Sequence, residues 1–106
     1  MSNNFTDREK SFENKFAHDA ELQFKVEARR NRLLGEWAGA QMGLEGDALK
    51  AYATEVVKSD FEEAGDDDVL RKVAGDLGDK SSREEIRAQM DTLMVTAKQQ
   101  VMTELK

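Results

Sequence analysis

The feature that most limits what this chain can become is the long interval without a helix breaker: from Phe5 to Leu34 there is neither proline nor glycine, and the first glycine is Gly35. With no residue to remove a helical hydrogen bond or relax the backbone, the stretch is predicted to form one helix from Thr6 to about Gly43. Thr6 and Glu9 have the spacing of a capping box, a start signal worth about 1 kcal/mol.

The apolar pattern divides this rod in two. Phe12, Phe16, Ala20 and Phe24 recur every four residues, with Phe5 one heptad before Phe12, and almost everything between them is charged. From Leu22 a fuller stripe runs through Val26, Leu33, Trp37 and Ala40, widened by Leu34 and Ala38. A sparse phenylalanine stripe makes a poor core helix, whereas Leu33 to Met42 makes a good one. The first half therefore reads as a docking arm and the second as an anchor. Two plainer roles for the arm are a helix folded back on the body and a frayed terminus.

Three further helices follow. Gly35, Gly39 and Gly43 thin one face of the first helix for close approach by another, and Gly43 to Gly46 reads as a stop and turn. A second helix is predicted over about Asp47 to Ala64, with Leu49, Tyr52, Ala53, Val56, Val57, Phe61 and Ala64 inward and Gly65 as its left-handed terminator. A third spans about Asp68 to Leu77, with Val69, Leu70, Val73, Ala74 and Leu77 inside. Ser82 and Glu85 form a second capping box before a fourth helix ending near Glu104, with Ile86, Met90, Leu93, Met94, Ala97 and Val101 buried. The fold class is all-α: a four-helix, bundle-like body whose first helix is longer than the body requires, its N-terminal part an exposed or partly disordered arm. The division falls at residues 1–20 for the arm and 21–106 for the body, and some twenty extra residues would project about 30 Å.

Composition narrows the function. Sixteen Lys plus Arg against 22 Asp plus Glu leave a net charge of −6, so phosphate backbones repel the chain and nucleic acid is not an expected partner. Its hydrophobic content of 39% is low for a globular domain, which suits a small core with a partner-dependent segment. There is no cysteine, hence no disulfide or thiolate chemistry. Apolar runs are short and Met1 to Asn4 leads into charge, so the chain is expected to be soluble and cytoplasmic, without membrane insertion.

Catalytic and metal constellations are missing. Asp66, Asp67 and Asp68 invite a calcium-loop reading, but Arg71 and Leu77 stand where that loop needs glycine and glutamate; helix capping and dipole stabilisation explain the triplet better. His18 beside Asp19 has no accompanying nucleophile and is read as a surface imidazole or a pH-sensitive docking group. Not an enzyme is the resulting expectation, and no cofactor or metal is required. Arg29, Arg30 and Arg32 form a local basic cluster with open alternatives: pairing with acidic faces such as Glu62, Glu63 and Asp66 to Asp68, contact with an acidic partner, or a weakly held adenine-nucleotide phosphate.

Phe12-Glu13-Asn14-Lys15-Phe16-Ala17-His18-Asp19, Glu21 through Asn31, and Asp60 through Val73 resemble the zeta inhibitor subunit of alphaproteobacterial F-type ATP synthases, and the resemblance extends over nearly the whole chain. It implies a four-helix protein, monomeric when free, whose N-terminal segment enters a catalytic interface between alpha and beta subunits near the gamma shaft and stops rotation in the hydrolytic direction. It places the protein in the cytoplasm, peripheral to the inner membrane through the synthase. The inhibitory segment corresponds here to about Ser2 to Asp19, with Phe5, Asp7, Arg8, Phe12, Lys15, Phe16, His18 and Asp19 as expected ATPase contacts. Phe24, Arg29, Arg30 and Arg32 are expected as secondary contacts or as a possible site for a nucleotide phosphate.

Overall fold

The structure, a computed structural model, describes residues 20–60 and 66–104. Among them lie four α-helices and no strand: α1 Ala20–Gln41, α2 Gly46–Ser59, α3 Asp67–Leu77 and α4 Arg83–Glu104, with a short 3₁₀ turn, Gly78–Lys80, between the last two. The all-α reading holds, and so does the order of elements. The expected Thr6 start of the first helix lies outside the described residues.

The long helix is the spine. Both α2 and α4 pack along α1, and α3 touches all three. Each long partner runs antiparallel to α1. On one side Gly39 meets Leu49 and Gly35 meets Ala53; on the other Gln41 accepts from Ser81 while Arg29 reaches Glu104. The α1–α2 turn closes as a Schellman motif, with Gly43 N–H donating to Ala40 O at 3.1 Å and Leu44 N–H to Gly39 O at 2.9 Å. Gly43 takes φ +81, a left-handed conformation that a side chain would strain.

Burial falls into two clusters. Where all four helices meet, Leu34, Ala38, Tyr52, Val56, Val69, Val73, Leu77, Ile86 and Met90 form the main core. Farther along α1, Leu22 and Val26 cluster with Ala97 and Val101 of α4, with the partly buried Leu33 and Met94 packed against them. At roughly 1.5–3 kcal/mol for each large aliphatic side chain fully buried, the first part carries most of the stability.

Three expectations need correction. Within α1 the deepest residues are Leu34 and Ala38, both fully buried, whereas Leu33 and Trp37 are half-buried and Ala40 is exposed. The approach of α2 to the Gly35/Gly39 face turns α1 so that the flank, not the middle, of its apolar stripe faces inward. Second, α2 ends at Ser59 and not at Ala64. Its last turn tightens as Asp60 N–H bonds Val57 O and the Ser59 hydroxyl donates to Val56 O at 2.7 Å, which diverts a carbonyl from the helical ladder. Phe61, Ala64 and Gly65 lie outside the described residues.

Third, Asp66 occupies the N-cap position of α3 but makes no side-chain cap bond; its carboxylate is held by arginines from elsewhere. Asp68 instead accepts from Val69 N–H at 2.8 Å. The Ser82/Glu85 box forms as expected, both reciprocal bonds at 3.1 Å.

Candidate interaction surface

Eight of the expected contact residues, Phe5, Asp7, Arg8, Phe12, Lys15, Phe16, His18 and Asp19, lie outside the described residues. The remaining four sit on α1, where helical geometry assigns each a direction. Leu22 and Val26 point into the seam with α4. Phe24 and Ala28 occupy a different face, the one that continues N-terminally from Gly35 and Gly39. Phe24 is 54% exposed.

Phe24 belongs to an open cleft of about 500 Å³ formed by Glu21, Phe24, Lys25, Ala28, Arg29 and Arg32 of α1 together with Thr54 and Val57 of α2. Its floor is apolar and its rim mostly cationic. Sequence reasoning missed Glu21, Lys25, Ala28, Thr54 and Val57. Two of these had a signal: Ala28 shares the face of Phe24 and Gly35, and Lys25 lies one turn before Arg29.

The three arginines do not act as one cluster. Arg29 joins Glu104 at 2.6 Å and donates to Gln100 Oε1 at 2.9 Å, while Lys25 stands 3.7 Å from the same glutamate. Arg30 turns the other way and is only 4% exposed; its Nε donates to Asn31 Oδ1 at 2.9 Å and its Nη1 reaches Asp66 at 3.4 Å. That buried position removes Arg30 from any contact surface. Arg32 is exposed, and no described carboxylate forms an ion pair with it.

Arg30 belongs to a charge junction linking α1, the start of α3 and α4. Arg87 joins Asp66 at 3.0 Å and Asp67 at 3.2 Å, so Asp66 receives two guanidinium groups. Burial alone would raise the Asp66 pKa, but the Arg87 hydrogen bond and the Arg87 and Arg30 charges outweigh it and hold the carboxyl below the usual carboxylate value. Asp60 behaves oppositely: burial pushes it up, against the pull of Asn31 and Arg30. Of the acidic residues offered for the basic cluster, Asp66 pairs with Arg30, whereas Arg29 pairs with Glu104 instead.

A second polar group lies on the far side. Tyr52 donates to Asp76 at 2.9 Å, Lys72 approaches both Asp76 and Glu55, and the Lys72 ammonium sits 5.4 Å from the Tyr52 ring centre. Burial, followed by the Asp76 hydrogen bond and charge, raises the Tyr52 phenol well above its ordinary value, so it remains a neutral structural donor. Among the described residues there is no group of three or more His, Cys, Asp or Glu side chains placed to hold a metal. Among the same residues, no helix is long and apolar enough to cross a membrane.

Comparison with known proteins adds two findings. The family model described as ATPase inhibitor subunit zeta matches residues 1–100. A solved structure described as a solution NMR structure shares 55% sequence identity, covers 78% of this chain and 98% of its own, and superposes with a TM-score of 0.74. No curated protein matches the chain in sequence.

Proposed function

This chain belongs to the ATPase inhibitor subunit zeta family, and we propose that it restrains ATP hydrolysis by an F-type ATP synthase through an N-terminal arm, residues 1–20, carried by the helical body, residues 21–106. The observation that carries this reading is the extent of the family match, which spans the arm as well as the body. In the sequence, Phe5, Phe12 and Phe16 form an apolar stripe flanked by Asp7, Arg8, Lys15, His18 and Asp19. Such a segment suits helix-in-groove binding, with rings as anchors and charges setting register at the rim.

The proposed groove lies between alpha and beta subunits beside the gamma shaft. Each phenylalanine buried there would contribute on the order of 2 kcal/mol, while ordering an arm on binding costs about 2–5 kcal/mol. Tight inhibition therefore needs most of the stripe engaged. The body's part is to hold the arm's base rigid, since Leu22 and Val26 are clamped against Ala97 and Val101. This reading assigns the chain no catalytic residue and no cofactor, and places it at the membrane only through the synthase.

A photo-crosslinking side chain in place of Phe16 tests the location. During hydrolysis by the cognate synthase it is expected to label alpha, beta or gamma subunits; labelling confined to other proteins rejects the arm's assigned position.

A further inference from the structure

The face of α1 that seats α2 does not end where α2 ends. Gly35 and Gly39 lie under Ala53 and Leu49, and at 100° per residue Phe24 and Ala28 continue the same strip toward the N-terminus. Because α2 stops at Ser59, the strip emerges as a ledge with Val57 and Thr54 at one end and the half-exposed Phe24 ring on its floor. Its width is that of a helix, since α2 occupies the same strip one step farther on.

We infer that this ledge is a second docking site, separate from the arm, for an acidic amphipathic helix on the surface of the F-type ATPase; the inference rests on the inhibitor reading above. The commitment to an acidic helix comes from charge. Lys25, Arg29 and Arg32, spaced to line one flank of α1, rim the ledge, and among its described lining residues Glu21 is the only carboxylate. On a chain of net charge −6 this is a local reversal of sign. Arg29 is part-buried and held by Glu104 and Gln100, whereas the Lys25–Glu104 pair is exposed and long, a weak pair exchangeable for a partner's carboxylate, and Arg32 is exposed.

Full-length Phe24→Ala and Arg32→Glu are to be compared with wild type for equilibrium binding to the cognate ATPase and, separately, for inhibition of hydrolysis. Val95→Ser, at an equally exposed apolar residue of α4 (57% exposed), serves as the control, and circular dichroism verifies that each variant is folded. The ledge predicts that both α1 variants weaken binding about tenfold while Val95→Ser leaves it unchanged. Unchanged affinity in folded Phe24→Ala and Arg32→Glu, with inhibition intact, overturns the ledge and leaves the inhibitor reading standing. Binding without inhibition by wild type, weakened in the two variants, supports the ledge and rejects inhibition. Self-association of the free chain abolished by Phe24→Ala, with ATPase affinity unaltered, assigns the ledge to a second copy and overturns the inference.

Discussion

Gly35 on α1 and Ala53 on α2 touch backbone to backbone: a Cβ placed on Gly35 would stand 2.6 Å from Ala53 Cα and 3.2 Å from Val56 Cγ2. Neither helix can yield without shifting its partner. Gly35→Ala is therefore expected to destabilise the fold by about 1–3 kcal/mol despite alanine's higher helix propensity. Gly75→Ala, where nothing lies within 4 Å, is expected to stabilise by up to about 1 kcal/mol. Urea unfolding of the two variants checks both signs.

Leu34 and Phe24 are large apolar residues on the same helix with opposite fates, the first fully buried and the second half-exposed. Removing Leu34 to alanine should cost about 2–5 kcal/mol through lost burial and the cavity left behind. Phe24→Ala should stay within about 0.5 kcal/mol of wild type in the free protein. A drop in thermal midpoint confined to Leu34→Ala is the expected result.

The capping box at α4 makes a third test. Ser82→Ala removes the acceptor for Glu85 N–H and should cost about 1 kcal/mol, seen as increased amide exchange in the first turn of α4. Glu85→Gln retains the return bond to Ser82 N–H and should cost less.

Asp66 and Asp60 give pH dependences of opposite sign. The folded-state pKa of Asp66 is lowered, so its contribution is present above the unfolded-state value near 4 and disappears as pH falls through the folded value. Asp66→Asn should thus destabilise at neutral pH and converge with wild type in acid. Asp60 is raised, so stability falls as pH rises from the unfolded to the folded value; Asp60→Asn should remove that decline. Denaturation midpoints measured from pH 3 to pH 7 distinguish the two.

Much of this architecture was legible because its signals are local. The Ser82/Glu85 box depends on residues three apart, and the glycine spacing of Gly35 and Gly39 needs only the helical period to mark a thin face. What escaped depends on neighbours distant in sequence. The choice of Leu34 over Leu33 as the deepest residue follows from where α2 and α3 press on α1, and an apolar stripe broad enough to contain both cannot express it. The end of α2 at Ser59 was missed because Phe61 and Ala64 continue the helical period, while the carbonyl capture by the Ser59 hydroxyl leaves no periodic trace. The arginines Arg29, Arg30 and Arg32 are adjacent in sequence, yet about 100° per residue sends them to a salt bridge, a buried junction and solvent.

The central claim is that the phenylalanine arm on this body halts ATP hydrolysis, and the rate of hydrolysis by the cognate F-type ATPase, titrated with the full-length protein, tests it most directly. Wild type is expected to lower the rate in a saturable manner, and a folded Phe12→Asp, Phe16→Asp double variant to leave it near the uninhibited value. A hydrolysis rate indifferent to saturating wild type, or equally suppressed by the double variant, would contradict the account.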